Sequence, residues 1–402
     1  MNARRPLSIA LLSLGLLLAG CQGNGQPSLP LATTAVSGAN PVQPPSPTVL
    51  APTATARLPA ATAELPTATP DPPTATPNPP TATSTPTPVL RRLTEPGCCS
   101  QPFWSPDSQQ VWYIDRPDER PAGIWGVSVT GDQAPLQVLA RPAFFSPDGA
   151  FIYYLENGQT VIERRSDGQR WTPPTGGRPV LFSPDDHSLL WQVSPATQGL
   201  VDRQPTEIWI GGLDGRDARL VLTVYGGGVS GWFPDGRRLL VTGKRDRNEA
   251  DRAMFIYDRG SGAVTELMRA QRPRNAALSP DGSWVVVMNT FSDDPAQDGI
   301  WLIRTDGGVR RKLPPELFGA FTWRDGTHLL VIPMTREQGS HVVWEVEAST
   351  GESRRLTDPA VTPISIADGD WRLSPDGKWL AFVAAQDWAI WVVSLPSVAG
   401  QQ

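Results

Sequence analysis

Apolar and polar positions along this chain fall into a unit that recurs seven times. A short apolar segment ends in an aromatic residue or leucine, a Pro-Asp or Asp-Gly turn follows, and a second apolar segment begins. The turns are Trp104-Ser-Pro-Asp107, Phe145-Ser-Pro-Asp148, Phe182-Ser-Pro-Asp185, Trp232-Phe-Pro-Asp235, Leu278-Ser-Pro-Asp281, Trp323-Arg-Asp325-Gly326 and Leu373-Ser-Pro-Asp376. Proline presets φ at the corner, aspartate bonds nearby amides, and the glycine that usually follows accepts positive φ. Such a turn joins two antiparallel strands. The repeated aspartates therefore read as turn chemistry rather than as paired catalytic carboxylates.

The segment after each turn is almost continuously apolar, as in Trp284-Val-Val-Val-Met288 and Trp379-Leu-Ala-Phe-Val383, which predicts strands buried on both faces. A third segment follows, often with an Ile-Trp pair: Ile124-Trp125, Ile208-Trp209, Ile300-Trp301, Ile390-Trp391. Many of the 15 tryptophans lie in these two segments and read as core. A fourth short segment completes six of the units. The seventh lacks one after Trp391-Val-Val-Ser-Leu395, whereas Val89-Leu-Arg-Arg-Leu-Thr94 matches Ser353-Arg-Arg-Leu-Thr357. The expectation is an all-β chain: a seven-bladed β-propeller of four-stranded antiparallel blades, its ring closed by the N-terminal strand.

The Ser-Pro-Asp-Gly repeat across residues 89–402 resembles the TolB-type, WD-repeat-like propeller family. The resemblance implies a fold and leaves the activity open, because this fold hosts many. The small α/β domain that precedes the propeller in TolB has no counterpart in this sequence.

Composition divides the chain before residue 89. Of 43 prolines, 17 lie between Gln22 and Leu90, among Thr and Ala with almost no charge, so the segment cannot bury enough surface to order itself. Its Pro-Thr-Ala-Thr repeats predict an extended, disordered polyproline stalk. Before it stand Arg4 and Arg5, an apolar run from Ile9 to Leu18, and Leu18-Ala19-Gly20-Cys21. The run is short for a transmembrane span. The ending resembles the lipobox of bacterial lipoproteins, which implies a signal peptide over residues 1–20 and lipidation of Cys21. The domains expected are thus the signal, a lipidated linker over 21–88, and the propeller over 89–402, with the protein extracytoplasmic and held on the cell membrane, or an outer membrane, through Cys21.

A net charge of −5 argues against a nucleic-acid partner, which needs a basic stripe. Three cysteines and three histidines give no zinc spacing, and no metal or other cofactor is expected. Cys98 and Cys99 are candidates for a vicinal disulfide in an oxidising compartment. The longest loops fall on the side away from the Asp-Gly turns, and Arg245, Asp246, Arg247, Asp293, Asp294 and Asp298 mark that side as the candidate binding face. The expected innermost segments, such as Ala143-Phe-Phe145 and Ala276-Ala-Leu278, are apolar, and only Asp370 and Arg372 bring charge into one. No catalytic residues are assigned on this basis. The expectation is a monomeric, non-catalytic scaffold for protein or cell-envelope partners. The alternative is a small-ligand or carbohydrate-processing propeller that uses its central channel.

Overall fold

A computed structural model describes residues 88–97, 100–116, 121–195 and 201–398. Cys21, the signal and the stalk lie outside these residues, as do Cys98 and Cys99. The described chain is all-β and antiparallel, in five four-stranded sheets and one of seven strands. Among the described residues no helix is long and apolar enough to cross a membrane.

The first sheet holds Ser100–Trp104, Gln110–Asp115, Gly123–Ser128 and Leu136–Leu139. The second runs from Phe144–Phe145 to Arg170–Trp171, the fourth from Pro273–Leu278 to Arg310–Lys312, and the fifth from Gly319–Trp323 to Ser353–Arg355. The third is the wide sheet, from Val180–Phe182 to Val264–Ala270. The sixth contains Ile366–Leu373, Trp379–Ala384 and Ile390–Ser394, and its outer edge is Leu90–Arg92, with Leu90 opposite Val393.

The wide sheet exists because one strand serves twice. Arg219–Trp232 has 14 residues; its first half pairs with Pro205–Gly212 and its second half with Arg238–Lys244. The register breaks between Tyr225 and Gly228, where Gly226 takes a φ of 63°. A Cβ on Gly227 would lie 1.9 Å from the Thr242 carbonyl oxygen, so only glycine lets the strand pass this point.

Alternating faces of the central strands pack against successive sheets. Trp112 and Ile124 meet Ile152 and Tyr154; Tyr153 and Ile162 meet Phe182 and Trp191. Leu240 and Met254 meet Val285 and Val287, and Val286 and Leu302 meet Leu329 and Val331. Leu330 packs with Leu380 and Phe382, while Ala381 and Val392 pack with Val111 and Tyr113 of the first sheet. Tryptophans that end first strands add polar ties between sheets. The Trp104 indole donates to the Arg372 carbonyl at 3.0 Å, and the Trp323 indole donates to the Ala277 carbonyl at 3.0 Å. These rings are buried, and their N–H groups also tie one sheet to another.

The repeated turns depend on serine as much as on aspartate. In Ser279-Pro-Asp281 the serine hydroxyl donates to Asp281 Oδ1 at 2.6 Å and accepts the Trp284 amide at 3.0 Å; Asp281 Oδ1 also accepts the Ser283 amide. The same bonds recur around Ser105, Ser146, Ser183 and Ser374. Each serine is buried. Ser279→Ala leaves the Trp284 amide without its acceptor and is expected to lower the unfolding free energy by about 1–3 kcal/mol. The denaturant midpoint at constant m-value measures this.

Two turns depart from the pattern. Phe233 replaces serine and is fully buried beneath the Arg238 guanidinium, 4.4 Å from its ring centre. Arg324 replaces serine in the sixth turn and is itself buried, for reasons taken up in the Discussion.

Candidate functional site at the kinked first strands

Four first strands share a feature at the end remote from the Asp-Gly turns. Gln101, Gly226, Asn275 and Asp368 each hold positive φ, of 55°, 63°, 52° and 48°. Each sits in or beside a break in register with the second strand. Non-glycine residues in this conformation carry strain, and such strain and bulges concentrate at functional sites. The kinks turn polar groups out: Gln101, Arg274, Asn275, Asp368 and Arg372 are exposed.

Asp370 lies beside Gln101, Asp368 and Arg372. It is half-buried on Ile366–Leu373, and its Oδ2 accepts the Gln101 amide from the first sheet at 2.8 Å. Burial pushes its carboxyl above the ordinary carboxylate range and Asp368 adds to the push, while the Gln101 amide and the Arg372 guanidinium pull the other way. Arg372 is tied down by its Nη1 donating to the Trp371 carbonyl at 2.7 Å and by its own carbonyl accepting from Trp104. The group is a carboxyl held more readily protonated than an ordinary one, with a cation beside it.

A hollow of about 430 Å³ opens between the fourth and fifth sheets, lined by Asn275, Ala277, Met288, Ala320, Phe321 and Met334. Phe144 and Leu181 also leave 49% and 41% of their surface exposed on first strands. Apolar surface and hydrogen-bonding groups therefore occur together along these strands.

The residues singled out from sequence lie on two separate loops. Asp298 accepts the Phe291 and Ser292 amides, Asp294 accepts the Ala296 amide, and Asp293 accepts from the Gln271 side chain at 2.8 Å. These carboxylates shape their own loop. Asp246 accepts the Asn248 amide in a different loop, where Arg245 and Arg247 are exposed. The histidines are also separate: His187 and His328 belong to Asp-Gly turns, and His341 Nδ1 accepts the Ile366 amide at 3.1 Å.

One turn holds a second unusual carboxyl. Asp186 stands where other turns have glycine, at a φ of 57°, and is 5% exposed. Burial and the neighbouring Asp148 push its pKa up to about 7, and the two share a proton when Asp186 is protonated. The unfolded group titrates near 3.8, so folding takes up a proton between that pH and 7. The cost is absent below the lower value, grows through the window and is complete above it. Asp186→Asn supplies the N–H permanently and tolerates the backbone. It is expected to raise the melting temperature at pH above about 7 by a few degrees and leave it unchanged near pH 4. Scanning calorimetry at both pH values measures the difference.

No known family's sequence profile matches this chain, and no curated protein matches its sequence. Solved structures do. An oligogalacturonate lyase in complex with manganese aligns over 78% of this chain and 95% of its own, at 14% identity and a TM-score of 0.56. An oligogalacturonate lyase from Vibrio parahaemolyticus aligns over 77% and 94%, at 12% identity and a TM-score of 0.53. A putative TolB from Agrobacterium tumefaciens aligns over 64% and 90%, at 20% identity and a TM-score of 0.38. The fold is that of a β-propeller.

Two expectations are corrected here. The expectation of a non-catalytic scaffold that is no enzyme does not stand, because solved structures that share this fold include enzymes, the oligogalacturonate lyases. The apolar reading began some first strands too late: Pro273–Leu278 starts three residues before Ala276, whereas Phe144–Phe145 lies within the segment read from Ala143. Gln101, Asn275 and Asp368 sit at the kinks and Arg274 beside one, where broken alternation made them look like loop. The manganese of the first lyase has no fitting ligand set here, because no three His, Cys, Asp or Glu side chains cluster among the described residues.

Proposed function

We propose that this chain is an extracytoplasmic β-propeller, anchored through lipidated Cys21, that binds and processes a carbohydrate at one mouth of its central channel. Dividing the wide sheet at Tyr225 to Gly228 gives seven four-stranded blades. The packing of Val111 and Tyr113 against Ala381 and Val392, with Leu90–Arg92 on the last sheet, supports a closed ring over residues 89–402. The first strands then line the channel, and their kinked ends form its mouth.

The observation that carries the reading is the Asp370 carboxyl, raised in pKa, held by the Gln101 amide and flanked by Arg372. A carboxyl of this kind exchanges protons with a substrate, and the adjacent guanidinium stabilises negative charge that develops there. The Asn275 hollow suits a sugar ring, which has an apolar face and a hydrogen-bonding edge. The fold shared with oligogalacturonate lyases makes acidic oligosaccharides the first substrates to test. Titration calorimetry of the full-length protein with acidic and neutral oligosaccharides tests the binding half: saturable heats, weakened in Arg372→Met, are expected. No heat with any sugar removes the reading.

A further inference from the structure

Thr242, Lys244 and Arg252 share one face at the end of the wide sheet away from the Asp-Gly turns. Thr242 is opposite Met254 and Gly243 is opposite Ala253, so Lys244 lies beside Arg252, with Thr242 one pleat below on the same side. Lys244 is 4% exposed. Its ammonium pairs with Asp202 Oδ2, and Arg252 Nη2 reaches Asp202 Oδ1 at 2.6 Å. Two cations therefore share one carboxylate, which leaves an excess positive charge. Two buried donors beside them, Arg252 Nε and Thr242 Oγ1, have no acceptor among the described residues. In the loop that joins them, Glu249 pairs with Arg269 at 2.8 Å and Asp246 accepts the Asn248 amide.

An uncompensated buried charge and unpaired buried donors each cost stability, and natural proteins keep few of either. Both deficits are relieved by the same thing, an added oxyanion. Asp202 differs from its partners in being accessible. Its side chain is 42% exposed, on a single three-residue turn, Val201–Arg203. It holds the place of an anion without being sealed into it.

We propose that Thr242, Lys244 and Arg252 form a binding site for a small oxyanion, the carboxylate or phosphate group of a ligand, with Asp202 as a built-in counter-ion that the ligand displaces. The site is independent of Asp370. The incoming group takes over the two ion pairs and accepts in addition from Thr242 Oγ1 and Arg252 Nε, contacts that Asp202 does not make. Charge-assisted bonds of this kind are the strong ones, and the guanidinium fork suits both groups.

The test is titration calorimetry of the full-length protein, wild type and Asp202→Asn, with inorganic phosphate, with glucuronate and with glucose as the neutral control, at fixed ionic strength. Removing the internal competitor is expected to tighten the anion by about tenfold or more. Phosphate alone binding identifies a phosphate ester as the ligand group, glucuronate alone identifies a carboxylate, and glucose gives no heat. Adding Lys244→Met to Asp202→Asn abolishes the binding. Thr242→Val, close in shape to threonine, weakens it several-fold while leaving the melting temperature unchanged or higher, which separates a lost contact from a lost fold. Failure of both anions to bind Asp202→Asn, or binding indifferent to both Lys244→Met and Thr242→Val, overturns the proposal. Because phosphate and single sugars are titrated here and oligosaccharides there, that failure leaves the reading of Asp370 untouched.

Discussion

Arg324→Met is expected to lower the unfolding free energy by about 3–5 kcal/mol, the cost of stranding a buried charge. Arg324 and Glu345 side chains are each 3% exposed and meet at 2.5 Å. The guanidinium also donates from Nε to the Gly377 carbonyl at 2.9 Å and from Nη2 to the Pro396 carbonyl at 2.6 Å. One side chain thus joins the fifth sheet to the last Asp-Gly turn and to the segment after the last strand. Glu345 keeps Arg354, which is 38% exposed and pairs less effectively in contact with water. Lysine at position 324 offers no planar fork to reach three acceptors at once, so Arg324→Lys recovers little. Replacing both members, Arg324→Met with Glu345→Met, removes the stranded charge and is expected to restore most of the loss. Chemical denaturation of the single and double variants gives the coupling directly. Equal losses in the single and double variants would mean that the backbone contacts, not the charge pair, hold this corner.

The largest effect on activity is expected at Asp370. Asp370→Asn keeps the shape and still accepts the Gln101 amide, but it cannot carry a proton. A drop in kcat of about 10²–10⁴ is expected, the range for losing a positioned acid or base. Stability moves the other way. The folded carboxyl is raised above its unfolded value, so ionising it opposes folding as pH climbs through the folded pKa. Asp370→Asn is therefore expected to melt higher than wild type at neutral pH and equally at acid pH. A side chain whose removal stabilises the protein and abolishes turnover is held there for function. Paired rate and calorimetry measurements distinguish this from a structural aspartate, whose loss lowers both.

Much of the architecture was legible because it rests on local chemistry. Proline, aspartate and glycine marked the turns, and continuous apolar runs marked the central strands, so Gln110–Asp115, Trp284–Asn289 and Trp379–Ala384 lie where expected. The match between Val89 to Thr94 and Ser353 to Thr357 anticipated that Leu90–Arg92 would lie against Ile390–Ser394. Serine's part was missed because its partner is an amide five residues away rather than a neighbour in the turn.

The candidate site was harder to see for a physical reason. A left-handed residue shifts side-chain alternation, so a polar group at a kink looks like loop to a pattern of period two. The available signal was residue type: Gly226, Asn275 and Asp368-Gly369 tolerate positive φ. Gln101 gives no such sign. The Asp202, Lys244 and Arg252 group was out of reach, since Asp202 and Lys244 are 42 positions apart and nothing local announces that they meet.

The most direct test is product analysis. Full-length protein is incubated with acidic and neutral oligosaccharides, and the products are resolved by mass spectrometry beside Asp370→Asn. Shortened or chemically altered sugar from the wild type, absent from the folded Asp370→Asn variant, is the expected result. Sugars returned intact by the wild type, or altered equally by both proteins, would contradict a carbohydrate-processing site at the channel mouth.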